Sequence, residues 1–331
     1  MQINIVGLGN LGSAMAVIAA NNGHQVLGWE YDENVVNSIN ESNRNETFLA
    51  GITLPTAISA TTQLEDIFNL PDLVIVTLPS RFIVPVLTKV STSINQSIPI
   101  VNMSKGINAD TGETAFQMLS GLFPNNPKAM LAGPSLANEF VRGVLTGLVA
   151  ATEDQVLLKS ISKALNNKRF FITASDDALG VELGGVLKNM YALGMGLFDG
   201  RDDIGMNFVG AYLTQALYEM RMLGVAMGAK AESFSSLSGI GDLITTAMSE
   251  HSHNRSMGQL VAQGLSIKAI QEKVGVLPEG YNTLKVALQL AQQHQLQLPL
   301  AQLLSEVINS QLAVDAFFEQ FTARLRSFDV D

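Results

Sequence analysis

Residues Gln2 to Glu30 read QINIVGLGNLGSAMAVIAANNGHQVLGWE, and the fold is decided here. Ile3 to Val6 is a short apolar run that ends on Gly7-Leu8-Gly9-Asn10-Leu11-Gly12. SAMAVIAANNGH then carries apolar residues at helical spacing and stops at the Asn22-Gly23 turn signal. A second strand is expected at Gln25 to Trp29, closing on Glu30, 18 positions after Gly12. By itself GxGxxG is a weak signal. Set between a strand and a helix, with an acid at the end of the next strand, it becomes a strong one. Glycines let the backbone turn tightly and approach a pyrophosphate, whose charge rests on the free amides of the helix N-terminus. The acid accepts hydrogen bonds from ribose hydroxyls and repels a 2′-phosphate. NAD is therefore expected in preference to NADP, which remains possible, with Gly7, Gly9, Gly12 and Glu30 as cofactor residues. The alternative is a glycine turn that binds nothing.

Further strand-like runs follow at Leu73 to Leu78, Ile98 to Met103, Ala129 to Ala132, Leu145 to Ala151 and Arg169 to Thr173, with helical segments between them. Such alternation predicts an α/β domain with a mostly parallel, doubly wound sheet. Three runs end in Pro79-Ser80, Ser104-Lys105-Gly106 and Gly133-Pro134-Ser135, at the carboxyl edge where open α/β sheets bind ligands. Taken singly, the two proline-serine ends are plain turn chemistry. After Ala174 the apolar residues recur at helical spacing only, broken by Gly239 to Gly241, Gly264, Pro278 and Pro299. The expected division is a dinucleotide-binding Rossmann domain over 1–180 and an all-α domain over 181–331.

Composition narrows the function classes. With 331 residues and 47% apolar content the chain can build two cores. Its formal charge of −10 disfavours nucleic acid and anionic membrane surfaces as partners. The absence of cysteine removes disulfides, thiolate metal sites and cysteine nucleophiles. The start enters a strand at once with no signal-peptide pattern, and no apolar run is long enough to span a membrane.

The stretch Val181 to Gly200, VELGGVLKNMYALGMGLFDG, is an apolar, helix-length run with Lys188 near its middle. Burying an ammonium without a partner is costly, so this lysine either snorkels to a solvated face or is held for a purpose.

Laid end to end, GLGNLG (7–12), VTLPS (76–80), SKGI (104–107), AGPSLANE (132–139), LGGVLKNMYALGMG (183–196), DG (199–200), GIGDLITT (239–246), SHNR (252–255) and EGYNT (279–283) resemble the NAD(P)-dependent glycerol-3-phosphate dehydrogenases of the soluble, cytoplasmic kind. The likeness runs from the first strand to about Pro299. It implies a Rossmann domain joined to a helical domain, an active site between them, a small-molecule substrate and a homodimer. It also implies that Lys188 is the general acid/base at the substrate's C2 oxygen and that Lys105 reaches both cofactor and substrate. Asn189, Asp242 and Thr246 match substrate-pocket positions, as do Gly133, Ser135, Ser252 and Asn254. Asn10, Leu11, Tyr31, Ala137, Leu277 and Glu279 match cofactor positions, and Pro79 joins them at the sheet edge.

This chemistry agrees with elementary physics. Alcohol oxidation needs a base for the hydroxyl proton while hydride departs; reduction needs the same group as acid. Burial and a second cation such as Lys105 push a lysine toward neutrality, and Asp242 limits that push. For Asp242 a helix N-cap after Gly241 is the alternative.

Three positions that carry a base in the family do not here. The arginine of the SRN segment is His253, and Val209 and Gln215 stand where lysine or arginine is usual. A largely neutral imidazole cannot reproduce the bidentate fork of arginine on phosphate. Arg255 lies close in sequence and is a further substrate-binding candidate. Two readings follow: glycerol 3-phosphate gripped more weakly, or another polar or carboxylate substrate. A non-catalytic NAD sensor is a third, opposed by the retained Lys105, Lys188, Asn189, Asp242 and Thr246. No metal site is expected, because the two histidines of Glu250-His251-Ser252-His253 cannot share one helix face.

Overall fold

The computed structural model describes residues 1–326. Its first unit, Met1–Asn108 with Glu113–Glu182, is built on an eight-stranded sheet. The strands are β1 (Gln2–Val6), β2 (Gln25–Trp29), β3 (Ile58–Thr61), β4 (Leu73–Val76), β5 (Ile100–Asn102), β6 (Lys128–Ala132), β7 (Thr146–Ala151) and β8 (Phe170–Ser175). Their order across the sheet is β3-β2-β1-β4-β5-β6-β7-β8. All neighbours pair in parallel except β6 with β7. The α/β reading is borne out, including its mostly parallel sheet. Strand β3 is absent from the sequence expectation: Ile-Ser-Ala-Thr has only one strongly apolar side chain, and its pairing with β2 is a non-local fact.

Period-two alternation distributes the strand side chains over the two faces. Ile3, Ile5, Leu73 and Ile75 pack on one face with Met15, Val17 and Phe140. Val6, Val74 and Val76 pack on the other with Ile83, Leu119 and Phe123. The order reverses at β1, which has β2 on one side and β4 on the other. The crevice beyond the carboxyl ends of β1 and β4 is the ligand position of such sheets.

The second unit begins at Leu183 and takes in Ala109–Gly112. Among the described residues it is helical, with helices at Met206–Ala226, Asp242–Met248, His253–Ala262, Ile267–Val274, Glu279–Gln293, Pro299–Ile308 and Val314–Arg326. The Ala178–Leu197 helix supplies Leu183 onward. Its core is aromatic: Phe198 meets Phe208 and Tyr212 edge-on, both with centroids 5.0 Å away, and Phe317 stacks on Phe321 at 5.9 Å. Glu219, fully buried, accepts from Leu300 N at 2.7 Å and Ala301 N at 3.0 Å, which caps the Pro299–Ile308 helix.

Candidate active site

In the first unit, β1 feeds directly into the glycine turn. Gly7 has φ +100°, a conformation L side chains rarely adopt, and Thr77 Oγ1 donates to its carbonyl at 2.7 Å, tying the turn to the end of β4. A Cβ at Gly12 would lie 1.9 Å from Gly7 O, so the helix can start this close to the strand only with glycine there. A Cβ at Gly9, by contrast, would meet nothing within 4 Å. Gly9 is the N-cap of the Asn10–Asn21 helix, and no side chain caps it. An uncapped helix N-terminus beside open space, with Asn10 exposed and Leu11 half-buried, fits a pyrophosphate.

Glu30 is buried at the end of β2, where its Oε1 accepts from Tyr31 N at 3.0 Å and Asp32 N at 3.4 Å. Burial pushes its carboxyl above the usual range, opposed by the amides of Asp32, Tyr31 and Leu8. Tyr31 and Pro79 are exposed beside the same edge. After β5, Asn102 fixes the next turn by donating to Ser104 O and accepting from Ser104 N, and Lys105 Nζ donates to Ser135 Oγ at 3.3 Å. Lys105 and Ser135 therefore meet, joining the turns after β5 and β6. Gly133 has φ +134°, and Ala137 opens the short Ala137–Phe140 helix.

In the second unit, Lys188 is buried, which excludes the solvated face. Its Nζ donates to Asp242 Oδ1 and to Thr246 Oγ1, the latter at 2.6 Å. Asp242 and Thr246 lie one turn apart on the Asp242–Met248 helix, so both face the lysine. The N-cap alternative for Asp242 fails: Gly241 is the cap, Asp242 is the first helical residue, and its carboxylate accepts from the lysine. Before it, Leu237–Gly241 forms a single π-type turn, which brings Asp242 into the helix at this angle.

Beside Lys188, buried Asn189 accepts from Asn254 Nδ2 at 3.1 Å, and Asn254 Oδ1 accepts from Gly280 N at 2.8 Å. Ser252 caps the His253–Ala262 helix by accepting from Arg255 N, while His253 is exposed at its first position. Leu277 is half-buried, and Glu279 opens the Glu279–Gln293 helix after the Pro278 cap.

Family models match nearly the whole chain. The description "NAD-dependent glycerol-3-phosphate dehydrogenase N-terminus" covers residues 2–158, and its C-terminal counterpart covers 177–319. A glycerol-3-phosphate dehydrogenase (NAD(P)+) of Clostridium perfringens is 34% identical over 307 residues, 93% of this chain and 92% of that one. This chain belongs to the NAD-dependent glycerol-3-phosphate dehydrogenase family. A relative of the same description from Pseudomonas savastanoi is 36% identical over 298 residues, 90% of this chain and 87% of its own. The crystal structure of the Coxiella burnetii glycerol-3-phosphate dehydrogenase superposes with a TM-score of 0.89 at 27% identity, over 97% of this chain and 98% of that one.

Against this family background the three missing bases separate. Val209 and Gln215 are buried in the helical core, and Gln215 Nε2 donates to Glu219 Oε1 at 3.0 Å. Neither faces solvent in the second unit. Arg255 is not a spare cation: its Nε and one terminal nitrogen grip Asp199 at 2.8 and 2.6 Å, and the other donates to Met248 O. Burial of Asp199 works against ionisation, yet Arg255 and Gln259 hold its carboxyl below the usual range.

Three acidic residues with defined partners, Asp199, Glu219 and Glu182, have no role in the sequence reading. Asp199 lies inside the DG motif. Glu219 gives no signal. Glu182 opens the same apolar run as Lys188, and the same cost-of-burial argument would flag it.

Proposed function

We propose that this chain transfers hydride between NAD(H) and C2 of glycerol 3-phosphate or dihydroxyacetone phosphate, with Lys188 as general acid/base. The observation that carries this reading is the buried lysine held between Asp242 and Thr246 next to Asn189. In reduction the Lys188 ammonium gives a proton to the C2 oxygen as that oxygen gains charge; in oxidation the neutral amine takes the hydroxyl proton. Asp242 favours the charged lysine and orients it, and Thr246 fixes a second of its hydrogens. When bound, the nicotinamide supplies or accepts the hydride.

The residues suited to hold the cofactor are Gly7 to Gly12 at the uncapped helix, Glu30 and Tyr31 at the ribose position, Pro79, Lys105 and Ala137 along the sheet edge, and Leu277 and Glu279 in the helical unit. Glu30 supports NAD over NADP. On this reading residues 1–180 serve as the dinucleotide-binding domain and 181–331 as the substrate domain. Gly133, Ser135, Ser252, His253 and Asn254 are substrate-side residues, whereas Arg255 is assigned a bracing role on Asp199. A homodimer and a cytoplasmic setting complete the proposal. No helix among the described residues is long and apolar enough to cross a membrane.

A different polar or carboxylate substrate is the second reading, and it rests on the three positions without a base: His253, which is exposed, Val209, which is buried, and Gln215, which is buried and donates to Glu219. The test is a purified-enzyme screen of NADH and NADPH against dihydroxyacetone phosphate and unphosphorylated ketones. Turnover of dihydroxyacetone phosphate supports the first reading. Inactivity with it, together with turnover of an unphosphorylated ketone, establishes the second.

A further inference from the structure

The Asn189–Asn254–Gly280 chain of hydrogen bonds has a direction that can be derived without seeing a hydrogen. Gly280 N is a backbone donor and nothing else, so the Asn254 atom 2.8 Å away is an acceptor, Oδ1. The other end of that carboxamide is then Nδ2, a donor, and the Asn189 atom 3.1 Å from it must accept. Asn189 Oδ1 is thereby taken up by Asn254. What Asn189 has left to offer is Nδ2, which reaches Gly185 O only at 3.5 Å, the outer limit of a hydrogen bond.

The three residues are packed closely enough to hold this order. Asn189 and Asn254 are 9% and 8% exposed, and a Cβ on Gly280 would lie 2.3 Å from Asn189 O and 2.6 Å from Asn254 Oδ1. The first turn of the Glu279–Gln293 helix thus rests directly on both asparagines.

We infer that Asn254 is a positioning residue: it transmits the polarity of the Gly280 amide to Asn189, so that Asn189 presents a hydrogen-bond donor, beside Lys188, to an oxygen of the substrate. The inference deepens the dehydrogenase reading and rests on it. A carboxamide left free to flip would offer a carbonyl oxygen for part of its time, and that oxygen repels an alkoxide.

Asn254→Asp tests this because it keeps the shape and the acceptor for Gly280 N while removing the donor. A carboxylate at that helix N-terminus is also electrostatically favourable, so the fold is retained. Asn189 then turns its Nδ2 to the new carboxylate and its oxygen to the substrate. The expected result is a kcat about 10- to 100-fold lower with dihydroxyacetone phosphate, the scale of losing one donor to a developing charge. In an Asn189→Ala background the same substitution lowers kcat by less than about threefold, because there is no carboxamide left to orient and only the direct effect of Asn254 on the substrate side remains. Simple repulsion of substrate by the new carboxylate raises KM in both backgrounds, so it is separable.

The second readout needs no turnover: the Asn189 carboxamide signals in a nitrogen-15 NMR spectrum, assigned by their loss in Asn189→Ala, are displaced in Asn254→Asp. An equal loss of kcat in both backgrounds, or an unmoved carboxamide signal, overturns the inference. A wild-type enzyme inactive on dihydroxyacetone phosphate overturns the substrate reading instead, and the NMR result alone then decides the relay.

Discussion

Lys188 and Asp242 form a buried ion pair within the helical unit, their side chains 7% and 1% exposed, with Thr246 adding no charge but sharing the same ammonium. Two charges taken out of water depend on each other and on their hydrogen bonds, so removing one partner is costly, on the order of 3–5 kcal/mol in buried pairs.

Asp242→Asn keeps the shape and deletes the countercharge. Without the Asp242 carboxylate the lysine loses its proton more readily. Reduction needs the proton, so the fall of kcat/KM on the alkaline side moves to lower pH, and kcat drops roughly 100-fold. Steady-state rates from pH 6 to pH 10 in both proteins check this; superimposable profiles contradict it.

Gln215→Arg separates the buried position from a phosphate grip. Gln215 faces Glu219, whose carboxyl is pushed above the usual range by burial despite four hydrogen bonds, from Gln215, Leu300, Ala301 and Tyr191. An arginine here pairs with Glu219 and leaves KM for dihydroxyacetone phosphate within about twofold, the scatter expected of a residue remote from ligand. A tenfold fall in KM would place the side chain at the phosphate.

His253→Arg addresses the one exposed departure. Guanidinium offers phosphate a planar, bidentate fork that imidazole lacks. The variant therefore lowers KM for dihydroxyacetone phosphate about tenfold, as a charge-assisted pair with phosphate predicts. An unchanged KM removes His253 from the phosphate site.

Glu182 predicts a stability effect. Fully buried, it accepts from Phe116 N at 2.8 Å with Oε1, while Oε2 has no hydrogen-bond partner among the described residues. Burial pushes its carboxyl up to about 8, against the smaller opposing effects of Thr114 and Phe116. The folded state thus keeps a proton that the unfolded chain releases near its ordinary value of 4.5. Its contribution to stability is full below that ordinary value, falls with a slope of one proton as pH rises, and levels off above the folded value. Glu182→Gln removes this component, so its Tm gains on the wild type as pH is raised from 5 to 8.5. A constant difference in Tm across that range contradicts the assignment.

Much of this molecule is legible in the sequence because its signals are local. The glycine turn, the apolar runs and the Pro278 and Pro299 helix starts each depend on residues a few positions apart. Strand β3 and the antiparallel β7 are set by pairing across the sheet, and four residues of modest apolarity carry no trace of that. The catalytic candidates Lys188, Asp242 and Thr246 can be named from their motifs, and the structure brings them together. The direction of Gln215 cannot be read, because whether a polar side chain on a helix faces ligand or core depends on Glu219 and the Pro299–Ile308 helix it caps. Asn254 is assigned to the substrate by its motif, while its side-chain bond to Asn189 is a contact between helices distant in sequence.

The central claim is that Lys188 moves the proton at C2. Purified wild-type protein and Lys188→Ala are compared for NADH oxidation in the presence of dihydroxyacetone phosphate, with NADH binding measured separately in each. Loss of kcat by about 100-fold or more, at unchanged NADH affinity, is the predicted result for removal of a general acid. Equal rates in the two proteins would contradict it.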